Sequence, residues 1–255
     1  MKRIHILGTP IDSLTMQQTL DLVEDAIIHH KHIQHVVVNA AKIVSMQTDE
    51  QLRQSVTESD IINADGQAVV WASKLLQQPL PEKVSGIDLM HALVEMAHLK
   101  KYKIFLFGAT EEIVKKVVEK YSETYDKNLI AGYRNGYYEA EEEAKIANQI
   151  ADSKADILFI AISSPKKENF LHNFDPILKA VPFTMGVGGS FDVVAGKVQR
   201  SPVWMQHAGL EWLYRFIQEP RRMWKRYTVG NWKFIKLVWQ AYHNLKKNNT
   251  QTIHH

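Results

Sequence analysis

The chain has 255 residues, 45% hydrophobic and 23% charged, enough to bury a sizeable core as one large domain or as a domain with an appendage. It contains no cysteine, which excludes disulfides, thiolate catalysis and zinc sites built on cysteine. The net charge of +3 conceals an asymmetry: residues 200–255 carry 10 Lys/Arg against 2 Asp/Glu and 5 of the 6 tryptophans, whereas residues 1–199 sum to −5.

The opening run "MKRIHILGTPIDSLT" has a basic pair but no apolar stretch and no small-residue cleavage site, so no signal peptide is expected. No run approaches about 18 uninterrupted apolar residues, so no transmembrane helix is expected either, and the default is a cytoplasmic protein. A helical pattern in "MQQTLDLVEDAIIHH" is followed by the apolar run "HVVVNA" and then by "DIINAD", which ends in Asp65-Gly66 and leads into an amphipathic helix through Leu76. Helix "GIDLMHALVEMAHLKK", strand "KIFLFGAT", helix "TEEIVKKVVEKYSETY", strand "NLIAGY" and helix "EAEEEAKIANQIADS" come next, then strands "DILFIAIS" and "PFTMGVGG". Near-continuous apolar strands alternating with helices predict an α/β fold, a Rossmann-like and largely parallel sheet with helices on both faces. Near "AGKVQRSPVW" glycine and proline interrupt this pattern and the aromatic, basic composition begins. The expected organisation is a catalytic core over 1–199 and a basic, Trp-rich helical C-terminal appendage over 200–255.

In sheets of this kind ligands bind beyond the carboxyl ends of the strands. That rule nominates Asn39, Asp65, the run Gly108 to Thr110, the run Ser163 to Glu168 and the run Gly186 to Ser190. Asp65 has two readings, a helix cap or a carboxylate placed for chemistry. The turn after "KIFLFG" offers amides and a helix dipole to a phosphate but lacks the full G-x-G-x-x-G, and a structural turn reads equally well. "TMGVGGSFDVVAG" places three glycines at a strand end, where a ligand can approach the backbone closely; a surface loop is the competing reading. There is no D-x-D pair and no H-E-x-x-H, and His29 and His30 read as a solvated helix end, so neither a metal nor a cofactor is expected.

A helix starting near Arg222 would put Arg222, Lys225, Arg226, Lys233, Lys236 and Lys247 in one stripe. Trp224, Tyr227, Ile235, Val238, Tyr242 and Leu245 would then lie opposite, with Gly230 as an interruption. Such a helix suits an anionic membrane surface. The alternatives are a helix packed on the core with a solvated basic face, or a nucleic-acid-binding arm. A nucleic-acid binder would leave the polar strand ends without purpose, so no nucleic acid is expected.

The segments "VNAAKIV", "NADGQAVV", "SPKKE", "GVGGSFDVVAGKVQRSPVW" and "GLEWLYRFIQEPRR" together resemble glycosyltransferase family 26, a bacterial family that includes the wall teichoic acid N-acetylmannosaminyltransferases. The resemblance implies transfer of N-acetylmannosamine from UDP-N-acetylmannosamine to the 4-hydroxyl of GlcNAc on undecaprenyl diphosphate. The transfer inverts to a β(1→4) linkage, in an enzyme peripheral at the inner face of the cytoplasmic membrane. It makes Asp65 the general base. It places substrate contacts at Asn39, Gly66, Gly108, Ala109, Thr110, Lys167, Glu168, Gly186, Gly188, Gly189, Phe191 and Asp192. Arg200, Arg215, Arg221 and Arg222 become the candidates for the two diphosphates. A homo-oligomer is left open.

Two positions depart from the family's usual pattern. Ser163-Ser164-Pro165-Lys166-Lys167-Glu168 stands where Gly-x-Pro-x-Gln-Glu is common, and Val37 where Thr is frequent. Lys167 keeps open a relative that transfers N-acetylmannosaminuronic acid, and glucose is a further alternative donor sugar. A non-catalytic nucleotide-sugar-binding, membrane-docking protein is the alternative from another class, and Asp65 beside a complete glycine loop argues against it.

Overall fold

The computed structural model describes residues 1–164, 166–224 and 230–252. It opens with an antiparallel hairpin, β1 (Arg3–Ile6) and β2 (Thr9–Asp12), in a sheet of its own. Leu7 and Gly8 at the turn both have positive φ (52° and 77°), the twist that a two-residue hairpin loop requires. This hairpin is not among the elements the sequence predicts, because each strand is only four residues long. It is held by tertiary contacts instead. Ile4, Ile6 and Ile11 are buried, and Arg3 grips the buried Asp12 through bonds of 2.7 and 3.0 Å. Asp12 in turn accepts the Ile62 amide at 2.8 Å, which ties the hairpin to the main sheet.

Helix α1 (Met16–Ile28) begins at a reciprocal cap between Thr15 and Gln18 and leads to β3 (Ile33–Val38). Helices α2 (Ala40–Met46) and α3 (Glu50–Thr57) precede β4 (Ile61–Ala64). Helices α4 (Gln67–Leu75) and α5 (Gly86–Lys100) precede β5 (Ile104–Gly108), and α6 (Glu111–Thr124) precedes β6 (Ile130–Arg134). Next come α7 (Glu143–Asp152), β7 (Ile157–Ala161), α8 (Lys166–Asn173), α9 (Asp175–Leu178) and β8 (Phe183–Gly186). The chain continues through α10 (Ser190–Val194), α11 (Val203–His207), α12 (Glu211–Gln218), α13 (Pro220–Trp224) and α14 (Gly230–Thr252).

Strands β3 to β8 form one six-stranded parallel sheet in the order β4-β3-β8-β7-β5-β6. The expected Rossmann-like architecture is therefore present, and every predicted strand is in it. The strands read as continuous apolar runs because both faces are covered. Ile104, Leu106, Ile157, Phe159, Phe183 and Met185 pack with Val23, Leu93, Val114 and Phe191 of α1, α5, α6 and α10. Phe105, Phe107, Leu158 and Ile160 turn the other way, onto Ile146, Ile150 and Phe170 of α7 and α8. On that second face Val36, Val38, Ile62 and Ala64 meet α2, α3 and α4. Full burial of one such phenylalanine contributes about 2 kcal/mol.

The C-terminal helix differs from its sequence reading. The described part of α14 starts at Gly230, and Lys225, Arg226 and Tyr227 lie outside the described residues. Phe234 and Val238 are buried against the core, with Tyr242 and Leu245 packed beside them. Of the apolar face drawn from the sequence, Val238, Tyr242 and Leu245 thus meet the core, whereas Ile235 is exposed. Trp232, Ile235 and Trp239 are the large apolar side chains that α14 leaves exposed.

Candidate active site

The order β4-β3-β8-β7 brings four strand ends side by side, and most of the nominated residues stand along that edge. Asp65 follows β4, its amide donating to Val38 O at 2.8 Å, and its side chain is half-buried. Gly66, at φ +100°, occupies the cap position of α4, with no side-chain cap bond there. The helix is therefore entered through glycine.

At the end of β3, Asn39 caps α2, its Oδ1 accepting the Lys42 amide at 3.0 Å. Lys42 sends its side chain toward α8, where Nζ lies 3.3 Å from Glu168 Oε1. Lys167 Nζ reaches the same oxygen at 2.8 Å. This cluster is buried, with side-chain exposures of 13%, 7% and 4% for Lys42, Lys167 and Glu168. Gly186 explains how it fits. It ends β8 on the face covered by α2 and α8, and a Cβ there would collide with the Lys167 stem. Burial alone would raise the Glu168 carboxyl, but Lys167 and Lys42 outweigh it and bring it down to about 2. Burial, reinforced by Lys167, lowers the Lys42 ammonium to about 8, against the opposing pull of Glu168 and Asp65. Beneath them His35 Nε2 lies 2.8 Å from Asn63 Oδ1 in the sheet, and burial holds the imidazole down to about 4, hence neutral.

The glycine loop continues the edge. Gly188 is exposed at φ +52°, and Gly189 has the Arg215 guanidinium of α12 where its Cβ would be. Phe191 is fully buried in the core and seats the loop from below, and Asp192 pairs with Lys197 at 3.4 Å. Helices α11 and α12 and the turn between them pack beside the same strand ends. Gly209 packs on Gln67 and Trp71 of α4, and Lys83 binds both Gln206 O, at 3.3 Å, and the Glu211 carboxylate. Arg200 pairs with Asp88 in the first turn of α5. Arg221 is exposed on α13, and Arg222 follows it on that helix.

The other nominated turn stands one strand beyond β7, at the end of β5. Gly108 packs directly on the Ala161 backbone, Ala109 donates to Ala161 O at 3.0 Å and accepts from Gly136 N at 2.9 Å, and Thr110 caps α6. Sequence reasoning overlooked Lys42, Lys83, Asp88 and Glu211. Only Lys42 carried a signal, since a cation in the first turn of a helix opposes the macrodipole.

The arrangement is that of a Rossmann-like α/β protein with a polar site along its central strand ends, built from an acid, buried lysines and a glycine loop topped by arginine. Residues 4–248 match the family described as the glycosyl transferase WecG/TagA/CpsF family. The chain belongs to that family. It is 41% identical over 172 residues to an N-acetylglucosaminyldiphosphoundecaprenol N-acetyl-beta-D-mannosaminyltransferase of Bacillus subtilis (strain 168), a match spanning 67% of this chain and 65% of that protein. It is 31% identical over 237 residues to a protein of the same name from Staphylococcus aureus (strain MW2), covering 92% of this chain and 90% of that one.

Proposed function

We propose that the chain transfers N-acetylmannosamine from UDP-N-acetylmannosamine to the 4-hydroxyl of GlcNAc on undecaprenyl diphosphate, with inversion, in wall teichoic acid linkage-unit synthesis. The observation that carries this reading is Asp65 at the end of β4, next to a positive-φ glycine and on one edge with the glycine loop, in a chain whose relatives of that name match it so extensively. As the acceptor oxygen attacks the anomeric carbon, Asp65 takes the hydroxyl proton, the bond from that carbon to the donor phosphate breaks, and UDP leaves with the electron pair. Arg215 over Gly189 suits the charge that grows on the departing diphosphate. Asn39, Lys167 and Glu168 are the side chains best placed to orient the sugars, and the step needs no divalent metal.

Purified protein given UDP-N-acetylmannosamine or its uronate, with a lipid-diphosphate GlcNAc acceptor, tests this. Disaccharide product from the first donor is expected, unchanged by EDTA. Product from the uronate alone, or loss on chelation restored by magnesium, would overturn the corresponding part.

A lipid-linked acceptor supports a site of action at the inner face of the membrane. Among the described residues no helix is long and apolar enough to cross a membrane. Exposed Trp232, Ile235 and Trp239, interleaved with exposed Lys233 and Lys236, suit the interface of an anionic bilayer. Replacing both tryptophans by alanine should reduce sedimentation with anionic vesicles, and unchanged sedimentation would remove that surface from the reading.

A further inference from the structure

Helix α4 starts at the polar edge and then presents apolar side chains to solvent. Its inner face, Val69, Ala72 and Leu76, is spent on the cluster it shares with Phe234 and Val238 of α14. On its outer face stand Trp71, 56% exposed, and Leu75, 45% exposed, one helical turn apart. Large apolar side chains in that position gain the benefit of burial only when something apolar covers them. One side of the stripe is already walled. The Trp71 ring and the Gln67 stem lie against Gly209, in the turn between α11 and α12, where a Cβ would meet both. Exposed Trp204 belongs to the same turn, its carbonyl accepting the Ala208 amide at 2.9 Å. Position along the helix sets an order. Gln67 comes two residues after Asp65, and from it Trp71 is displaced by about 6 Å and Leu75 by about 12 Å along the axis. Charge narrows the ligand. On α14 the exposed Trp232, Ile235 and Trp239 are interleaved with Lys233 and Lys236, as an anionic headgroup layer favours, whereas the exposed positions of α4 read Ala68, Trp71, Lys74 and Leu75. The α4 stripe suits hydrocarbon more than headgroups.

We propose that the Trp71 and Leu75 stripe of α4, walled by the Gly209 turn, seats the first isoprene units of the acceptor's polyprenyl chain. The proposal rests on the reading of the chain as a transferase acting on a lipid-diphosphate acceptor, and adds where the hydrocarbon goes. That acceptor is laid out as sugar, diphosphate and hydrocarbon. Asp65, the packing of Gly209 on Gln67, and the stripe follow one another in the same order. The broad indole of Trp71 covers a branched, unsaturated segment at small entropic cost, and Leu75 extends the surface by a further turn. The contact is the same before and during the transfer, so it lowers the acceptor KM and leaves kcat to the polar edge.

The test compares two acceptors at fixed detergent: GlcNAc diphosphate esterified to undecaprenol, and the same headgroup esterified to ethanol, which offers the stripe almost no hydrocarbon. Wild type, Trp71→Ala, Trp71→Phe and Leu75→Ser are assayed, with circular dichroism to verify folding. The quantity read is the KM for the ethyl acceptor divided by that for the undecaprenyl acceptor. It should fall about tenfold or more in Trp71→Ala and about threefold in Leu75→Ser, and stay near the wild-type value in Trp71→Phe, which keeps an apolar ring. Leu75 lies a turn further from Gly209, so its variant keeps the test available should Trp71→Ala disturb that turn. A wild-type ratio in the folded Trp71→Ala and Leu75→Ser variants would overturn the proposal. So would a loss of sedimentation with anionic vesicles in those variants, which would make the bilayer the occupant of the stripe. The two readings separate in the wild type. If it transfers to neither acceptor, the transferase reading and the stripe fall together; if it transfers to both and the ratio does not respond to the variants, only the stripe falls.

Discussion

Two glycine turns end neighbouring stretches of the same sheet, and they do opposite things. At Gly108 the missing Cβ lets backbone press on backbone: Ala161 carbonyl atoms stand 2.5 Å from where a Cβ would be, and the polar groups of Ala109 are taken by Ala161 and Gly136. At Gly186 and Gly189 the missing Cβ admits side chains, Lys167 at the first and Arg215 at the second. One turn closes the structure. The other brings in charge. A glycine at a strand end is thus no evidence of a ligand site until its neighbour is known, because the same vacancy accommodates a packed backbone or a cation.

The largest effect that could break this contrast is at Asp65, on the charged edge. Asp65→Asn should reduce turnover by roughly two to four orders of magnitude while circular dichroism and UDP binding stay near wild type. Near-normal turnover in the folded variant would remove the chemistry from that edge.

The glycines themselves sharpen it next. Gly189→Ala has an ordinary backbone conformation, so the cost falls on the displaced Arg215 guanidinium, and transfer should drop about ten- to a hundredfold with little change in melting temperature. Gly108→Ala should do the reverse. With φ at +131° and backbone in the way, it should lose more than about 2 kcal/mol of stability, a melting temperature lower by about 5 °C or more, while each folded molecule keeps its activity. Equal behaviour of the two variants in both assays would erase the distinction.

A smaller effect concerns acid. The charged edge lies over His35, whose proton affinity is lowered from 6.5 to about 4, mainly by burial. Between those values the unfolded chain binds a proton that the folded chain does not. The stability is therefore fully present above pH 6.5 and falls as the pH drops toward 4, by on the order of a few kcal/mol. Glu168 extends the trend: its pairing is complete above pH 4.5 and is lost as the pH falls toward about 2. Urea unfolding of wild type and His35→Gln at pH 7 and pH 5 should show a shallower loss in the variant; identical losses would exclude His35 as the source.

The sequence by itself determined the strands and their parallel arrangement, because a strand buried on both faces must be apolar throughout and its period is short enough to read locally. It also nominated Asp65, Asn39 and the glycine loop, since strand ends follow directly from strands. The hairpin escaped it, as four-residue strands carry too little periodicity and Arg3 meets Asp12 only in the folded sheet. The outward face of α14 escaped it as well: an amphipathic pattern says that one face is apolar, not whether lipid or protein covers it, and here Phe234 and Val238 meet the core. Lys42 and Glu168 are 126 residues apart in sequence and on different helices. Their meeting depends on β8 inserting between β3 and β7 and on Gly186 leaving room for Lys167, and the order of strands across a sheet is a global choice that no local pattern encodes.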